Sequence, residues 1–554
     1  MKRILVLLLS LLLLGGCGHT QQEEPLPSMT EPMAADHTQW QQEPYYVLQF
    51  NVDSVISNAP AAAATSAGVV LTQGGTYLLS GTLQDAQLII DVPAGETVRL
   101  VLRGVDLHSE RGPVIYSKGG CTVVLLLEEG TVNTLTDGKN YLYTGGVMRE
   151  AVISVTGSLL ITGSGSLAVE ATHADAIRSE SDLVVAAGSL TVTAWRDGLI
   201  GGKSLTISGG QQSITCGDTG LLAPSEKSGQ GSLLLSGGNT AIVSGGDGIR
   251  AAGTLSTSGG SYHITTGGGS SNRSYGEDAE KWGLWGGLQQ EQPPEQEGAL
   301  PSRETPVSAS ARGLSAGKSL VLGGGSFTLD CSDDALYSAG SLLLSGGSAV
   351  ISGGDDAIFA AGQVTLSSGE ITIDTARRGL TAESMTLSGG SLTLNAAEEG
   401  LLLSGGYREE EVSTSPEVRR MTVTGGSLQV RAGTHAIDMA GSFFQSGGTL
   451  LLGSGREQNP LHGPVAHLSG GTLLAAGPLL PDMEWQTSLP RISVELWLTG
   501  GRPLTVTAAE ESAPMLSFTP ETSVGYVTLI SDRLQPETTY YLVSGSARLS
   551  VTPE

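Results

Sequence analysis

The sequence predicts an all-β protein whose body is a parallel β-helix with coils of about 22 residues. One phrase, a charged residue followed by Gly or Ala and then Ile or Leu, returns 22 positions later from Asp334-Ala335-Leu336 to Asp356-Ala357-Ile358. Between such phrases lie short alternating runs of Leu, Ile, Val and Thr that end in Gly pairs, a pattern typical of strands and turns. One unit cannot bury its own apolar face, whereas stacked units can when their strands pair in parallel.

The composition agrees with this architecture and excludes some partners. Gly accounts for 79 of the 554 residues and aromatic residues for only 5%, which suits tight corners between short strands. The formal net charge is −26, and a chain of this sign repels phosphate backbones. We therefore expect no nucleic-acid partner, and we expect the protein to be a monomer.

The N-terminus resembles a processing signal. Two basic residues precede an apolar run at 4–14, which is too short to span a bilayer as a helix, and Gly15-Gly16-Cys17 follows. Small residues before a Cys resemble a bacterial lipobox, so we interpret 1–16 as a lipoprotein signal peptide and Cys17 as the lipidated residue. The alternative is an ordinary signal peptide with an incidental Cys. The composition of the polar, Pro-rich stretch 17–45 predicts a flexible tether to the outer face of the cell membrane.

The rest of the chain divides at changes in the repeat pattern. Residues 46–145 are predicted to form the N-terminal β region of the helix, and residues 146–484 its regular coils. The Gly-, Gln- and Pro-rich stretch 268–308 interrupts the pattern and is predicted to be a mobile loop. Residues 485–554 lack the phrase but contain strand-like runs, so we expect a β cap over the open end of the last coil.

Acidic residues concentrate just before the Gly or Ala of the phrase, where two adjacent positions form columns along the stack. Asp333 and Asp334 on one coil and Asp355 and Asp356 on the next are predicted to cluster. Two like charges about 4.8 Å apart repel by roughly 3–4 kcal/mol at an effective dielectric constant of about 20, so something must offset them. A second, sparser acidic set consists of Asp197, Asp218 and Asp247.

Two explanations for the acidic columns remain open. The first explanation is an ordinary ion-pair ladder, because Arg312 and Arg378 occupy the same column as Asp334 and Asp356. Calcium is the other, because its oxygen ligands at about 2.3–2.6 Å allow one ion to bridge carboxylates on adjacent coils. A donor set of oxygen alone disfavours zinc.

The chain also resembles a known family, the clostridial cell-surface carbohydrate-binding β-helix proteins, over roughly residues 46–480. The segments that carry the resemblance are GGTYLLSGTL (74–83), VRLVLRGVDL (98–107), EGTVNTLTDG (129–138) and the coils with Asp-Asp-Ala. The resemblance implies a right-handed helix similar to that of pectate lyases, with Ca²⁺ at acidic corners and binding of acidic polysaccharide. Carried over by position, the implied Ca²⁺ ligands are Asp197, Asp218, Asp247, Asp333, Asp334, Asp355 and Asp356. The chain departs from the acidic pattern at Arg312, Arg377 and Arg378.

The leading functional hypothesis is a lipid-anchored surface protein that binds polygalacturonate-like polysaccharide through Ca²⁺ without catalysis. Bound Ca²⁺ would invert the local field, which a strongly acidic protein needs in order to hold a polyanion. A Ca²⁺-dependent polysaccharide lyase and a structural surface stalk or adhesin are the alternatives. No nucleophile motif indicates a catalytic residue. Aromatic residues are few, although an exposed Trp195 or Tyr262 could contact sugar.

Overall fold

A computed structural model describes residues 36–52, 54–60, 62–65, 68–141, 150–272, 310–403, 419–508 and 513–554. The predicted signal peptide, Cys17, the tether before residue 36 and the predicted loop beyond residue 272 lie outside these ranges. Within them, no helix is both long and apolar enough to cross a membrane.

The described ranges form 46 strands and two 3₁₀ helices, Trp40–Gln42 and Ser270–Asn272. The strands up to residue 137 are β1 (Tyr45–Val52), β2 (Ser54–Ser57), β3 (Ala62–Thr65), β4 (Gly68–Leu71), β5 (Gly75–Leu83), β6 (Gln87–Ile90), β7 (Thr97–Ser109), β8 (Ile115–Ser117), β9 (Thr122–Leu127) and β10 (Val132–Asp137). Those from 151 to 266 are β11 (Ala151–Val155), β12 (Leu159–Gly163), β13 (Ser166–Ala171), β14 (Asp175–Ser179), β15 (Asp182–Val185), β16 (Ser189–Ala194), β17 (Leu199–Gly201), β18 (Ser204–Ile207), β19 (Gln211–Cys216), β20 (Leu221–Ala223), β21 (Ser232–Leu235), β22 (Asn239–Ser244), β23 (Ile249–Ala251), β24 (Thr254–Thr257) and β25 (Ser261–Thr266).

The strands from 314 to 477 are β26 (Leu314–Ala316), β27 (Ser319–Leu322), β28 (Ser326–Cys331), β29 (Leu336–Ser338), β30 (Ser341–Gly353), β31 (Asp356–Thr375), β32 (Arg378–Leu387), β33 (Ser391–Ala396), β34 (Leu401–Leu403), β35 (Met421–Val423), β36 (Ser427–Ala432), β37 (Ile437–Met439), β38 (Phe443–Gly453) and β39 (Leu461–Gly477). The last strands are β40 (Asp482–Thr487), β41 (Arg491–Leu498), β42 (Leu504–Thr507), β43 (Leu516–Phe518), β44 (Val524–Ser531), β45 (Tyr540–Ser544) and β46 (Ala547–Val551).

The predicted parallel β-helix is confirmed. In a typical coil, β14, β15 and β16 follow one another around the axis, and each pairs in parallel with the equivalent strand of the next coil. The register places Leu183 beside Leu205, which is the 22-residue step of the sequence. We call the faces that contain β14, β15 and β16 the first, second and third face. The longer β30, β31, β38 and β39 run through corners and contribute to more than one face.

The interior consists of columns of identical or similar apolar side chains. On the second face, Leu205, Leu233 and Leu255 are each at most 1% exposed, and their strands are neighbours. Full burial of one such side chain contributes about 1.5–3 kcal/mol, so the repeat is stabilised coil by coil. The Gly pairs of the sequence form the turn between the second and third faces. The second Gly of each pair has a positive φ, as at Gly210 (80°) and Gly238 (84°), which other residues adopt only with strain.

The N-terminal end of the folded body lies earlier than the predicted boundary at residue 46. Trp40 is 3% exposed and packs with Val101 and Leu126 on the outside of the first coils. Glu43 forms an ion pair of 2.7 Å with Arg99. The Trp40 ring and this ion pair attach residues 36–45 to the helix, so the predicted tether ends before residue 36.

The C-terminal region beyond β40 changes from parallel to antiparallel pairing. β44 pairs antiparallel with both β39 and β41, and β42, β43, β45 and β46 form a separate antiparallel sheet. A second apolar cluster, which includes Leu474, Phe518 and Leu542, lies under these strands. The strands thus cover the backbone edge of the last coil, as a cap should.

The three cysteines in the described ranges, Cys121, Cys216 and Cys331, are buried free thiols. Cys216 and Cys331 are the last residues of β19 and β28, and both are buried there as small apolar core residues.

Candidate functional site

The acidic phrase lies at the corner that leads from the third face to the first. Asp333 and Asp334 follow β28 and precede β29, and Asp355 and Asp356 occupy the same corner one coil later. The two acidic columns have different environments, because the first residue of each pair is partly exposed while Asp334 and Asp356 are only 7% and 1% exposed. The sequence predicted the two columns but not which of them is buried.

The buried column is held by main-chain hydrogen bonds that the sequence did not reveal. In each case a carboxylate oxygen accepts a bond from the backbone N–H of the equivalent residue in the next coil. We call this arrangement the carboxylate ladder. Its bonds run from Asp197 N to Asp175 Oδ1 (3.3 Å), Thr219 N to Asp197 Oδ1 (2.9 Å), Arg312 N to Asp247 Oδ1 (2.9 Å) and Asp356 N to Asp334 Oδ1 (3.1 Å). The ladder satisfies corner N–H groups that would otherwise be buried without partners.

Arginines neutralise part of the acidic corner. Arg378 Nε donates to Asp356 Oδ1 at 2.6 Å, and both side chains are almost fully buried. On the exposed side, Arg377 Nε donates to Asp355 Oδ1 at 2.6 Å. The ion-pair ladder that the sequence left open is therefore present in the coil after Asp355 and Asp356. It does not by itself exclude a metal ion one coil earlier.

Three of the seven predicted ligands converge. Asp333, Asp334 and Asp355 each offer a carboxylate oxygen, and these oxygens lie within 4.8 Å of one another. We call these residues the acidic trio. Arg312 is the counter-charge beside Asp333 and Asp334: its Nε lies 3.7 Å from Asp333 Oδ2 and 3.6 Å from Asp334 Oδ2, and its guanidinium lies 3.5 Å over the Tyr337 ring. The third member, Asp355, is paired with Arg377.

Burial and mutual repulsion oppose full ionisation of the trio, even though Arg312 and Arg377 lie beside it. Burial raises the pKa of Asp333 despite the opposing charge of Arg312. Burial, followed by the charges of Asp333, Asp356 and Asp355, raises the pKa of Asp334 well above its usual range. A dication between these oxygens would remove the repulsion, so an oxygen-only trio at this spacing fits Ca²⁺ in ligand type and position.

The other predicted ligands lie elsewhere. Asp356 is held by Arg378, and burial raises its pKa to about 6. Asp197, Asp218 and Asp247 do not form a comparable group of three within the described ranges. Asp247 Oδ2 is nevertheless buried without a hydrogen-bond partner, on the coil next to Arg312. Metal binding by these four residues stays a prediction.

Aromatic side chains near the site differ from the sequence-based expectation. Tyr262 is only 1% exposed, because it shares the inward parity of Ile264 in β25, so it cannot stack on a sugar. Trp195 is half-buried. Instead, Tyr337 and Phe359 stack on the outside of the first face, with ring centroids 5.2 Å apart, directly after the acidic corner. We call them the outer aromatic pair.

The buried charge of Asp197 yields a prediction for stability. Burial and the neighbouring charge of Asp175 raise the pKa of Asp197 to about 7, whereas the unfolded value is near 3.8. The folded state therefore binds the extra proton between these pH values, and the associated stability is complete below about pH 4 and lost as pH rises through 7. We expect Asp197→Asn to raise stability at pH 8 by about 1–4 kcal/mol, because the amide cannot ionise yet can still accept the Thr219 N–H bond.

Urea unfolding midpoints at pH 8 and pH 5, measured with chelator, would check this expectation. The advantage of Asp197→Asn should shrink at pH 5, and the exposed Asp374→Asn variant should show neither effect. A loss of stability at pH 8 would mean that the carboxylate is stabilised in its ionised form, and the assigned pKa would be wrong.

Comparisons with known proteins bear on the same part of the chain. A family model described as "Carbohydrate-binding domain-containing protein" matches residues 65–357, a range that includes the whole acidic trio. A carbohydrate-binding domain-containing protein of Acetivibrio thermocellus is 29% identical over 190 residues, which cover 34% of this chain and 63% of the relative, less than two thirds of its length. Among solved structures, a polysaccharide lyase-like protein from C. thermocellum, in a gadolinium derivative, is 29% identical with a TM-score of 0.39, over 41% of this chain and 92% of that chain.

Proposed function

Because the chain belongs to the family of carbohydrate-binding domain-containing proteins, we propose that it binds acidic polysaccharide through Ca²⁺ at the acidic trio and performs no chemistry on it. The observation that carries the proposal is the convergence of Asp333, Asp334 and Asp355 from two adjacent coils. Three carboxylates lie close together here on a protein of net charge −26, and the pKa values of Asp333 and Asp334 are raised. Such a site repels a polyanion unless a cation lies between them.

A Ca²⁺ ion at the trio would serve two purposes. Its ligand number of six to eight exceeds what three carboxylates supply, so coordination positions remain for carboxylate and hydroxyl oxygens of a sugar chain. Its charge would also reverse the local potential toward a uronate group. Asp333 and Asp355 are partly exposed, so the ion would be accessible from solvent. The buried Asp334 would bind it from the side of the helix.

The outer aromatic pair supports a binding surface next to the ion. Tyr337 and Phe359 are partly exposed and follow the trio on the same coils. Their stacked rings present a flat apolar strip, against which the C–H groups of a sugar ring can pack. Arg312 lies on the Tyr337 ring and extends this strip with a cationic group.

The arginines at the corner are unsuited to act as the base of a lyase. Such a base must be deprotonated in order to remove the proton next to the sugar carboxylate. Burial lowers the pKa of Arg312 and Arg377, but the neighbouring carboxylates outweigh it and raise both values above the usual range. Both guanidinium groups would therefore remain protonated.

We further propose that the protein is anchored through Cys17 at the outer face of the cell membrane, which would retain bound polysaccharide near the cell.

Affinity electrophoresis through polygalacturonate gels would test the proposal, with Ca²⁺ or with chelator. We expect the full chain to be retarded only with Ca²⁺. The Asp333→Asn/Asp355→Asn variant should lose at least tenfold in affinity, while Asp374→Asn, at an exposed carboxylate outside the trio, should behave as the parent does.

The two alternative functions predict different results when the same protein is incubated with polygalacturonate. A lyase would release unsaturated products that absorb in the ultraviolet. A structural stalk would show a melting temperature that rises with Ca²⁺ but no retardation. Retardation that survives chelation, or that is unchanged in the double variant, would contradict binding through the trio.

A further inference from the structure

A second cluster of ligand-type side chains lies near the C-terminal end of the helix, outside the range matched by the family model. His435, Asp438 and His462 each offer one ligand atom, and these atoms lie within 4.8 Å of one another. The sequence alone does not reveal this cluster, because 24 positions separate Asp438 from His462. The parallel register of β37 and β39 places these two residues side by side.

Each side chain of the cluster is positioned by the fold. Asp438, His462 and Asp482 are register partners on β37, β39 and β40, so their side chains project outward in one column. His435 occupies the corner of the coil, at the position where other coils carry the acidic residue of the phrase. The rings of His435 and His462 stack with centroids 5.2 Å apart.

Hydrogen bonding leaves a free nitrogen on His435. Its Nδ1 lies 2.8 Å from the backbone carbonyl oxygen of Asn459, and a carbonyl can only accept, so Nδ1 carries the proton. In the neutral ring Nε2 is the nitrogen with the lone pair, as a metal-binding imidazole requires. His462 Nδ1 lies 2.8 Å from Asp438 Oδ1, and its Nε2 lies 3.9 Å from Asp482 Oδ2. The carbonyl of Asn459 is thus an orienting partner from outside the cluster.

We propose that His435, Asp438 and His462 bind a divalent transition metal of the zinc class, with Asp482 available as a fourth ligand. Two imidazoles and one or two carboxylates form a donor set that Zn²⁺ prefers and Ca²⁺ does not. The corner column thus changes from oxygen donors at the acidic trio to mixed nitrogen and oxygen donors four corner positions later. His462 is about half exposed, so an ion can enter from solvent.

The test is calorimetric titration of the tag-free, full-length chain with Zn²⁺, together with Co²⁺ as a spectroscopic probe. We expect the parent to bind one more equivalent of Zn²⁺ than the His435→Gln/His462→Gln variant, and we expect a Co²⁺ absorption band that the variant lacks. Each single variant should bind that equivalent at least tenfold more weakly. His263→Gln, at an exposed histidine on β25, is the matched control and should bind as the parent does.

Two further measurements make the result decisive. Melting temperatures without metal should be equal in parent and variants, because the three side chains are partly exposed and stabilise no core. Ca²⁺ at the Zn²⁺ concentration should not displace the ion, and Asp333→Asn should leave the titration unchanged. Equal Zn²⁺ stoichiometry and affinity in parent and double variant, or displacement by Ca²⁺, would overturn the proposal.

Discussion

Replacing Arg378 with Met is expected to destabilise the protein by about 3–5 kcal/mol, the usual cost of leaving one partner of a buried ion pair uncompensated. Arg378 and Asp356 are 6% and 2% exposed in their side chains, and their charged atoms lie 2.6 Å apart. Met preserves much of the volume, so the loss would report the unpaired carboxylate rather than a cavity. The midpoint of urea unfolding at pH 8 measures the effect.

The same pair supplies its own control. Asp356→Asn in the Arg378→Met background should recover most of the loss, because no buried charge is then left without a partner. The deficit of the single variant should also shrink toward pH 5, since Asp356 would be protonated in the folded state. Arg377→Met, at a guanidinium that is 24% exposed, should cost less than about 1 kcal/mol. An equal cost at both arginines would contradict the distinction between a buried and an exposed column.

Removing the ring of Phe327 is expected to be similarly severe. Phe327 is 2% exposed and stacks on Tyr262 inside the third face, with ring centroids 4.9 Å apart. Phe327→Ala would leave a cavity between coils and lower stability by about 3–5 kcal/mol. Thermal and urea unfolding midpoints would both fall.

Phe359 offers a matched comparison on the outside of the helix. It also stacks on a tyrosine of the neighbouring coil, but it lies on the outer surface beside the acidic trio. Phe359→Ala should cost about 1 kcal/mol or less in stability and should weaken retention on polygalacturonate instead. If Phe359→Ala destabilised the fold as strongly as Phe327→Ala and left retention unchanged, the outer aromatic pair would have a structural role only.

The fold could be predicted because each coil repeats the same pattern of strand and turn residues. The 22-residue step from Asp334 to Asp356, the alternating strands and the Gly pairs all constrain one architecture, and the register confirms it. The strands that end the stack were also predicted. The attachment of Trp40 was not, because a single apolar ring in a polar stretch has no periodicity that would indicate burial.

The site was predictable only in part. Adjacent coils had to place Asp333 and Asp334 next to Asp355, but the sequence does not state which carboxylate turns toward the backbone of the next coil. The parity of β25 could have shown that Tyr262 points inward with Ile264. The His435, Asp438 and His462 cluster depends on the register of β37 and β39, which pairs residues 24 rather than 22 positions apart. The weak copy of the phrase at His435-Ala436-Ile437 was the available signal.

The carboxylate ladder has a consequence for how such a chain changes length in evolution. Its bonds join each coil only to the next, so duplication of residues 335–356 would follow Asp356 with a second copy of Ala335 and restore the same corner, with the acidic trio kept. In-frame gain or loss of one coil between the two candidate metal sites would lengthen or shorten the rod without disturbing either site. The spacing between the two candidate metal sites is then an inheritable quantity that changes in steps of about 4.8 Å, one strand separation at a time.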